Sequence, residues 1–386
     1  MSSKHKGYVV FSDDWGVHPS SCQHLFLRIS ATQPVLWVNT IGLRDPDCSL
    51  RDLRKAASKL RRMLFSRVAP EEAAQPVVPA HSPRVCQPFM LPFARFRAVR
   101  AFNRWSVIRT VEQTVADMGL IDPVIVSTVP NACDYAGAFP SRRLVYYCVD
   151  DFSLWPGHDI TYIKGLEAQL IDRAEVLVAT SSALCERLAL SGKPTHLLHH
   201  GVDISHFSRR EHSLHPLLAA IPGIKVGYFG LLDERLDQAL LQSMARQQAE
   251  LQFVLMGPQA VAMQALAALP NVHFTGPVPY GQLPSVVSGL SVLLLPYKSD
   301  ALGQSLSPLK LREYLATGLP VISSPLRDAE AYGSLIRFAE GSDAWCSALR
   351  DALHEVPGNR LADVRQALAG QDWSDKAAEL QAWCQE

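Results

Sequence analysis

The sequence predicts an α/β protein built of two doubly wound, Rossmann-like domains of similar size. Three observations carry this. Short apolar runs without polar alternation recur along the chain, the mark of strands buried on both faces of a parallel sheet. Helical stretches separate them, which is βα repetition. The pattern halts at a polar, His-rich stretch and then restarts. The 386 residues suit two to three domains at about 150 residues each.

In the first half the strand candidates are 8–12 (YVVFS), 35–40 (VLWVNT), 123–128 (PVIVST), 143–150 (RLVYYCVD), 176–181 (VLVATS) and 195–201 (THLLHHG). Helical stretches between them include 100–118 and 160–173. The second set comprises 225–230 (KVGYFG), 251–257 (LQFVLMG), 272–276 (VHFTG), 291–297 (SVLLLPY), 320–325 (PVISSP) and 336–340 (IRFAE). Its helices include 233–248, 259–268, 308–317 and 343–354. The expected division is a first domain over 1–204, a linker over 205–223, a second domain over 224–370 and a C-terminal helix over 371–386. Two such domains are expected to face a central cleft, because open α/β sheets bind ligands at their carboxyl edges.

Composition narrows the function. Lys plus Arg and Asp plus Glu are 37 each, so bulk charge offers no nucleic-acid signal. No run of about 18 apolar residues suggests a membrane span, and the N-terminus does not read as a secretory signal. The eight cysteines form no CxxC pair, which points to reduced thiols rather than a zinc site or a disulfide framework. The neutral total conceals an asymmetry. Residues 51–109 hold thirteen basic residues against three acids, interleaved with Phe89, Phe93, Phe96, Phe102 and Trp105. That mixture suits an anionic bilayer surface. The alternative is a solvated helix face with its apolar side in the core.

The most informative chemistry lies in 305–323 (SLSPLKLREYLATGLPVIS). Ser307 reads as an N-cap and Pro308 as the first helical residue, with the helix running to Thr317 and Gly318 ending it. A helix N-terminus with free N–H groups and a positive dipole end suits a diphosphate. Lys310 adds a charge in the first turn, and Glu313 shares its face. The alternative is a solvated lysine that pairs with Glu313. A second chemical segment, 143–155 (RLVYYCVDDFSLW), runs a buried strand into Asp150 and Asp151 at its carboxyl end. The two carboxylates diverge, so one of them is the candidate site residue, and plain helix capping is the alternative. The loop after the first strand holds Asp14, Trp15, Gly16 and His18 as acceptor or cleft candidates. It has no GxGxxG, which argues against a dinucleotide enzyme.

These segments resemble the GT-B glycosyltransferases, close to family 4 and to bacterial exopolysaccharide transferases. The 305–323 segment resembles their donor-binding motif. HHGVD at 199–203 with Phe207 resembles the junction after the first domain. Residues 226–237 resemble the strand and glycine turn that open the second, and 270–297 the frame of the nucleotide base. The resemblance implies transfer of a sugar from a nucleotide donor, a UDP-sugar first and a GDP-sugar as the alternative. By position it implies donor contacts from Gly230, Arg235, Val278, Tyr297, Ser305, Ser307, Leu309, Lys310 and Glu313. Lys310 would hold the diphosphate and Glu313 the ribose. Two departures stand out: Ser305 replaces the first glutamate of the E-x7-E motif, and Leu231 replaces the usual Arg, leaving Arg235 to supply that charge.

The 146–153 stretch resembles Y-x-x-S-D-G-x-S in the inverting glucuronosyltransferases of xanthan-type polysaccharide synthesis, which places a general base at Asp150. Those enzymes also carry HGVD, and His200 falls in that match. The implied activity is addition of a sugar to a lipid-linked or saccharide acceptor in surface or exopolysaccharide synthesis, by a protein peripheral to the cytoplasmic face of the membrane. No cofactor or metal is expected, because Lys310 and the helix N-terminus already meet the leaving diphosphate. Two rivals are a non-hydrolysing UDP-sugar epimerase of the same fold and a non-catalytic subunit of a polysaccharide assembly complex.

Overall fold

The computed structural model describes residues 6–17, 20–40, 81–157, 159–209, 213–355 and 360–385. His18 and residues 51–80 of the basic-aromatic region, Arg61 and Arg62 among them, lie outside the described residues. The chain forms two units, one of 1–198 with 377–386 and the other of 199–376.

The first unit contains β1 (Tyr8–Ser12), α1 (Ser21–Ile29), β2 (Val35–Asn39), β3 (Arg84–Cys86), α2 (Arg97–Met118), β4 (Val124–Ser127), β5 (Arg143–Cys148), α3 (Ile160–Arg173), β6 (Val176–Ala179), α4 (Ser182–Ala189) and β7 (Thr195–Leu197). Its sheet has the order β3-β2-β1-β4-β5-β6-β7, and every pairing is parallel. The order reverses between β1 and β4. Burial explains the unbroken apolar runs: all five residues of β1 and of β2 are buried. The sequence reading omitted β3, whose exposed Arg84 and Val85 give an edge strand no continuous apolar signal.

The second unit contains α5 (Ile204–Phe207), α6 (Pro216–Ala219), β8 (Lys225–Phe229), α7 (Gln238–Gln247), β9 (Gln252–Met256), α8 (Gln264–Ala267), β10 (Val272–Gly276), α9 (Leu283–Val287), β11 (Val292–Leu295), α10 (Ala301–Ser305), α11 (Leu309–Ala316), β12 (Val321–Ser323), β13 (Ile336–Phe338), α12 (Ser342–Leu353) and α13 (Arg360–Ala367). The strand order is β10-β9-β8-β11-β12-β13, again parallel throughout. Here the reversal falls between β8 and β11.

The boundaries differ from those expected. Residues 205–223 are part of the second unit rather than a linker, because Phe207 and Leu218 are buried in its core. The first unit ends at Leu198, whose N–H bonds the Ala179 carbonyl at 2.8 Å and extends the β6–β7 edge. The C-terminal helix, α14 (Trp373–Gln385), starts in the second unit and contributes its last turns to the first. There Trp383 stacks on His196 at 4.5 Å and its carbonyl accepts from Arg143 at 3.0 Å. The expected helix 233–248 begins only at Gln238, because Asp233 and Arg235 bind each other in the preceding loop.

Candidate active site

In the second unit the candidate site grows from the reversal between β8 and β11, the point at the carboxyl ends of the strands where open α/β sheets bind ligands. Gly230 follows β8 directly, with φ +145°, a conformation that disfavours any side chain. A Cβ there would stand 1.5 Å from Lys310 Cε and 2.7 Å from Nζ. Gly257, just after β9 with φ +141°, packs on Gly230 itself: a Cβ there would meet the Gly230 carbonyl at 1.8 Å. The side chain of Lys310 thus lies across the bare backbone of Gly230. The sequence reading named Gly230 and missed Gly257, although the same strand-then-glycine pattern marks it.

Lys310 and Glu313 come from α11, which links β11 to β12. Its N-cap is Pro308, with no side-chain capping bond. Ser307 is therefore not the cap. Its Oγ instead meets Arg312 Nη1 at 3.3 Å and His199 Nδ1 at 3.4 Å. Tyr314 fixes the helix from its other side: its hydroxyl donates to the Phe229 carbonyl at 3.0 Å and accepts from the Phe229 N–H at 2.9 Å. β11 pairs with β8 only at Val226 and Gly227, so Tyr314 serves the strand's backbone beyond that point. One hydroxyl therefore sets α11 against the residue before Gly230. Neither Tyr314 nor Arg312 was foreseen, because both sit within a run that reads as ordinary helix surface and core.

Burial sets the electrostatics. Glu313 is 7% exposed, and desolvation pushes its carboxyl from 4.5 up to about 7, with Lys310 pulling it down more weakly. His200 is pushed down to about 3 by burial first, then by Arg312, His199 and Lys310. It is a neutral imidazole near Ser307 and α11. Asp328 is buried and faces His199 Nδ1 at 3.6 Å.

The remaining donor candidates divide. Leu309 opens α11, and Val278 is half-buried in the loop after β10. Tyr297 is buried after β11, with the Arg235 guanidinium 5.5 Å from its ring centre. Arg235 itself is gripped by Asp233, with Nη2 at 2.6 Å and Nε at 3.0 Å from Oδ2. Asp233 thus ties Arg235 into the 231–237 loop. Ser305 is buried and its Oγ donates to the Leu302 carbonyl at 2.7 Å. That bond closes α10 on itself.

In the first unit β5 delivers Asp150 and Asp151, both half-buried, just past its carboxyl end. Asp151 caps the turn 152–154, its Oδ1 accepting from Ser153 N at 3.0 Å and Ser153 Oγ at 2.6 Å. Its Oδ2 lies 3.7 Å from Arg187 Nε. Arg187 in turn binds the buried Glu167 at 2.7 and 3.0 Å, and Glu167 accepts from the Tyr146 hydroxyl at 2.8 Å. The capping reading thus holds for Asp151. The loop after β1 is tied down through its backbone. Trp15 N–H donates to Asn39 Oδ1 and Gly16 N–H to Gln23 Oε1, both at 3.0 Å. The Trp15 ring packs edge-on to Trp37 at 4.8 Å. Asp14 and Trp15 are half-buried and Gly16 is exposed.

Among the described residues no group of three or more His, Cys, Asp or Glu side chains is arranged to hold a metal ion. Among them, too, no helix is long and apolar enough to cross a membrane. On α2 and the loop before it, Phe96 and Trp105 are 56% and 57% exposed. Arg95 lies over the Phe96 ring and Arg109 over Trp105.

Two doubly wound parallel units, the second with a lysine-bearing helix N-terminus at its strand reversal, define the GT-B fold of glycosyltransferases. Residues 223–355 match the family model described as Glycosyl transferases group 1. A Bacillus subtilis (strain 168) protein, provisionally named as the teichuronic acid biosynthesis glycosyltransferase TuaH, is 31% identical over 226 residues. The match spans 55% of this chain and 57% of that relative. The crystal structure of Anabaena HepE in complex with UDP and glucose is similar with a TM-score of 0.67 at 14% identity, over 98% of this chain and 99% of that one. Sucrose-phosphate synthase from Thermosynechococcus elongatus is similar with a TM-score of 0.69 at 16% identity, over 98% of each chain.

Proposed function

We propose that the protein is a glycosyltransferase whose second unit binds a nucleotide-sugar, a UDP-sugar first, and which passes the sugar to a lipid-linked saccharide in surface polysaccharide synthesis. The observation that carries this is the Lys310 side chain laid across Gly230 at the N-terminus of α11, with buried Glu313 on the same helix face. The dipole end and the ammonium suit a diphosphate, and Glu313 suits ribose hydroxyls. Support for UDP comes from HepE, whose structure holds UDP and glucose, and support for a surface polysaccharide comes from the name of TuaH.

In this reading the acceptor hydroxyl oxygen attacks the anomeric carbon. The bond from that carbon to the diphosphate oxygen breaks, and the nucleoside diphosphate leaves with the electron pair. Asp150 takes the hydroxyl proton, which makes the transfer a single displacement with inversion. Lys310 and the α11 N-terminus meet the growing negative charge, so the reading needs no metal. The exposed aromatic and arginine side chains of 95–109 suit an anionic bilayer, where a lipid-linked acceptor resides. The test is a panel of nucleotide-sugars screened by thermal shift, followed by nucleotide release with a lipid-linked saccharide extract. A specific donor at 100 Kd stabilises by about 2.7 kcal/mol. Conversion of a UDP-sugar to an isomeric UDP-sugar without acceptor would replace this reading with an epimerase.

A further inference from the structure

Arg312 follows Lys310 by two residues in α11 and is 2% exposed. Its guanidinium reaches back to the start of the helix, where Nη1 donates to Ser307 Oγ at 3.3 Å. Cζ stands 5.5 Å from the centre of the Tyr332 ring. Nε is buried with no hydrogen-bond partner. Among the described residues no carboxylate forms an ion pair with Arg312 or with Lys310; Asp328 faces His199 instead. Lys310 and Arg312 are thus both carried by a helix whose N-cap offers no side-chain acceptor, and the charges of both bear on the buried His200. A buried charge without a counter-charge is destabilising, and a cation at a helix N-terminus adds to that cost. An anion at the same place relieves both.

We propose that Arg312 is a second cation of the donor's diphosphate site, a buried charge that acts with Lys310 on the phosphates and not on the base or ribose. The inference rests on the reading that the second unit takes a nucleotide-sugar. Arg312 acts through its field and through its hold on Ser307, as a positioning residue rather than a catalytic one. The neighbouring His200 is neutral, so it brings no competing charge to the cluster.

The test titrates the full chain calorimetrically with UDP and uridine, and with GDP and guanosine. The wild type should bind one diphosphate far more tightly than its nucleoside. In Arg312→Met that ratio should fall about tenfold, through loss of the diphosphate's affinity alone. The ligand-free variant should melt no lower than the wild type, because an uncompensated buried charge has gone. Arg312→Lys should keep most of the ratio. An unchanged ratio in Arg312→Met, an unfolded Arg312→Met, or a lysine variant as weak as the methionine one would each overturn the inference and leave the donor reading intact. A wild type that binds none of the four ligands would overturn the donor reading, and this inference with it.

Discussion

Replacing Glu313 with Gln tests whether the proposed donor site carries a carboxylate that the fold itself would rather not ionise. Burial raises the carboxyl from 4.5 to about 7. A folded-state value above the unfolded one means that the native protein binds the extra proton between those limits. Stability from this group is thus complete below about pH 4.5 and is lost as pH rises through about 7. At 1.36 kcal/mol per pH unit the gap amounts to about 3 kcal/mol. Gln keeps the shape and does not titrate. Glu313→Gln should therefore match the wild type near pH 4 and exceed it by up to about 3 kcal/mol near pH 8.5. Urea unfolding of both proteins at the two pH values measures this, and subtracting one from the other cancels the remaining titrating groups. The same variant should bind donor more weakly, raising KM more than it lowers kcat. A stability difference that does not change with pH would refute the reasoning about burial. An unchanged donor KM would refute the ribose contact.

Lys310→Ala should slow transfer about a hundredfold, because the leaving diphosphate loses a charge that counts most in the transition state; steady-state kinetics of the folded variant checks it. Tyr314→Phe strips a partner from both backbone groups of Phe229 and should cost about 1–3 kcal/mol in unfolding free energy, with a weaker donor affinity by calorimetry because α11 loses its tie to the end of β8. Asp150→Asn should lower kcat by about 10²–10⁴-fold and leave nucleotide affinity unchanged. Asp151→Ala, by contrast, removes a cap and should mainly lower the melting temperature, by an amount equivalent to about 1 kcal/mol. Arg95→Ser with Arg97→Ser should weaken flotation with anionic vesicles about fivefold per charge. Binding to neutral vesicles at the same strength, unmoved by salt, would remove the electrostatic part of the membrane reading.

The strands that position the site were legible because each is apolar on both faces. The runs at 8–12, 35–40 and 143–150 became β1, β2 and β5 within two residues at their ends. The two-domain α/β architecture and the helix carrying Lys310 and Glu313 followed from the same local patterns: periodicity, Pro308 near the start and Gly318 at the end. What local pattern cannot encode is which side chains meet across the fold. Ser307 has the composition of an N-cap, yet tertiary contacts with His199 and Arg312 take its hydroxyl. Arg235 looks like a free cation until Asp233, two residues away in a folded loop, is seen to grip it. Asp150 and Asp151 are alike in sequence, and only the placement of Arg187 and Ser153 assigns Asp151 to structure. Gly257 and Tyr314 matter because β8, β9 and α11 converge within van der Waals distance of Gly230. That convergence brings Gly257 to Gly230, 27 positions apart, and Tyr314 to Phe229, 85 positions apart, separations over which helical and strand periodicity carries no information.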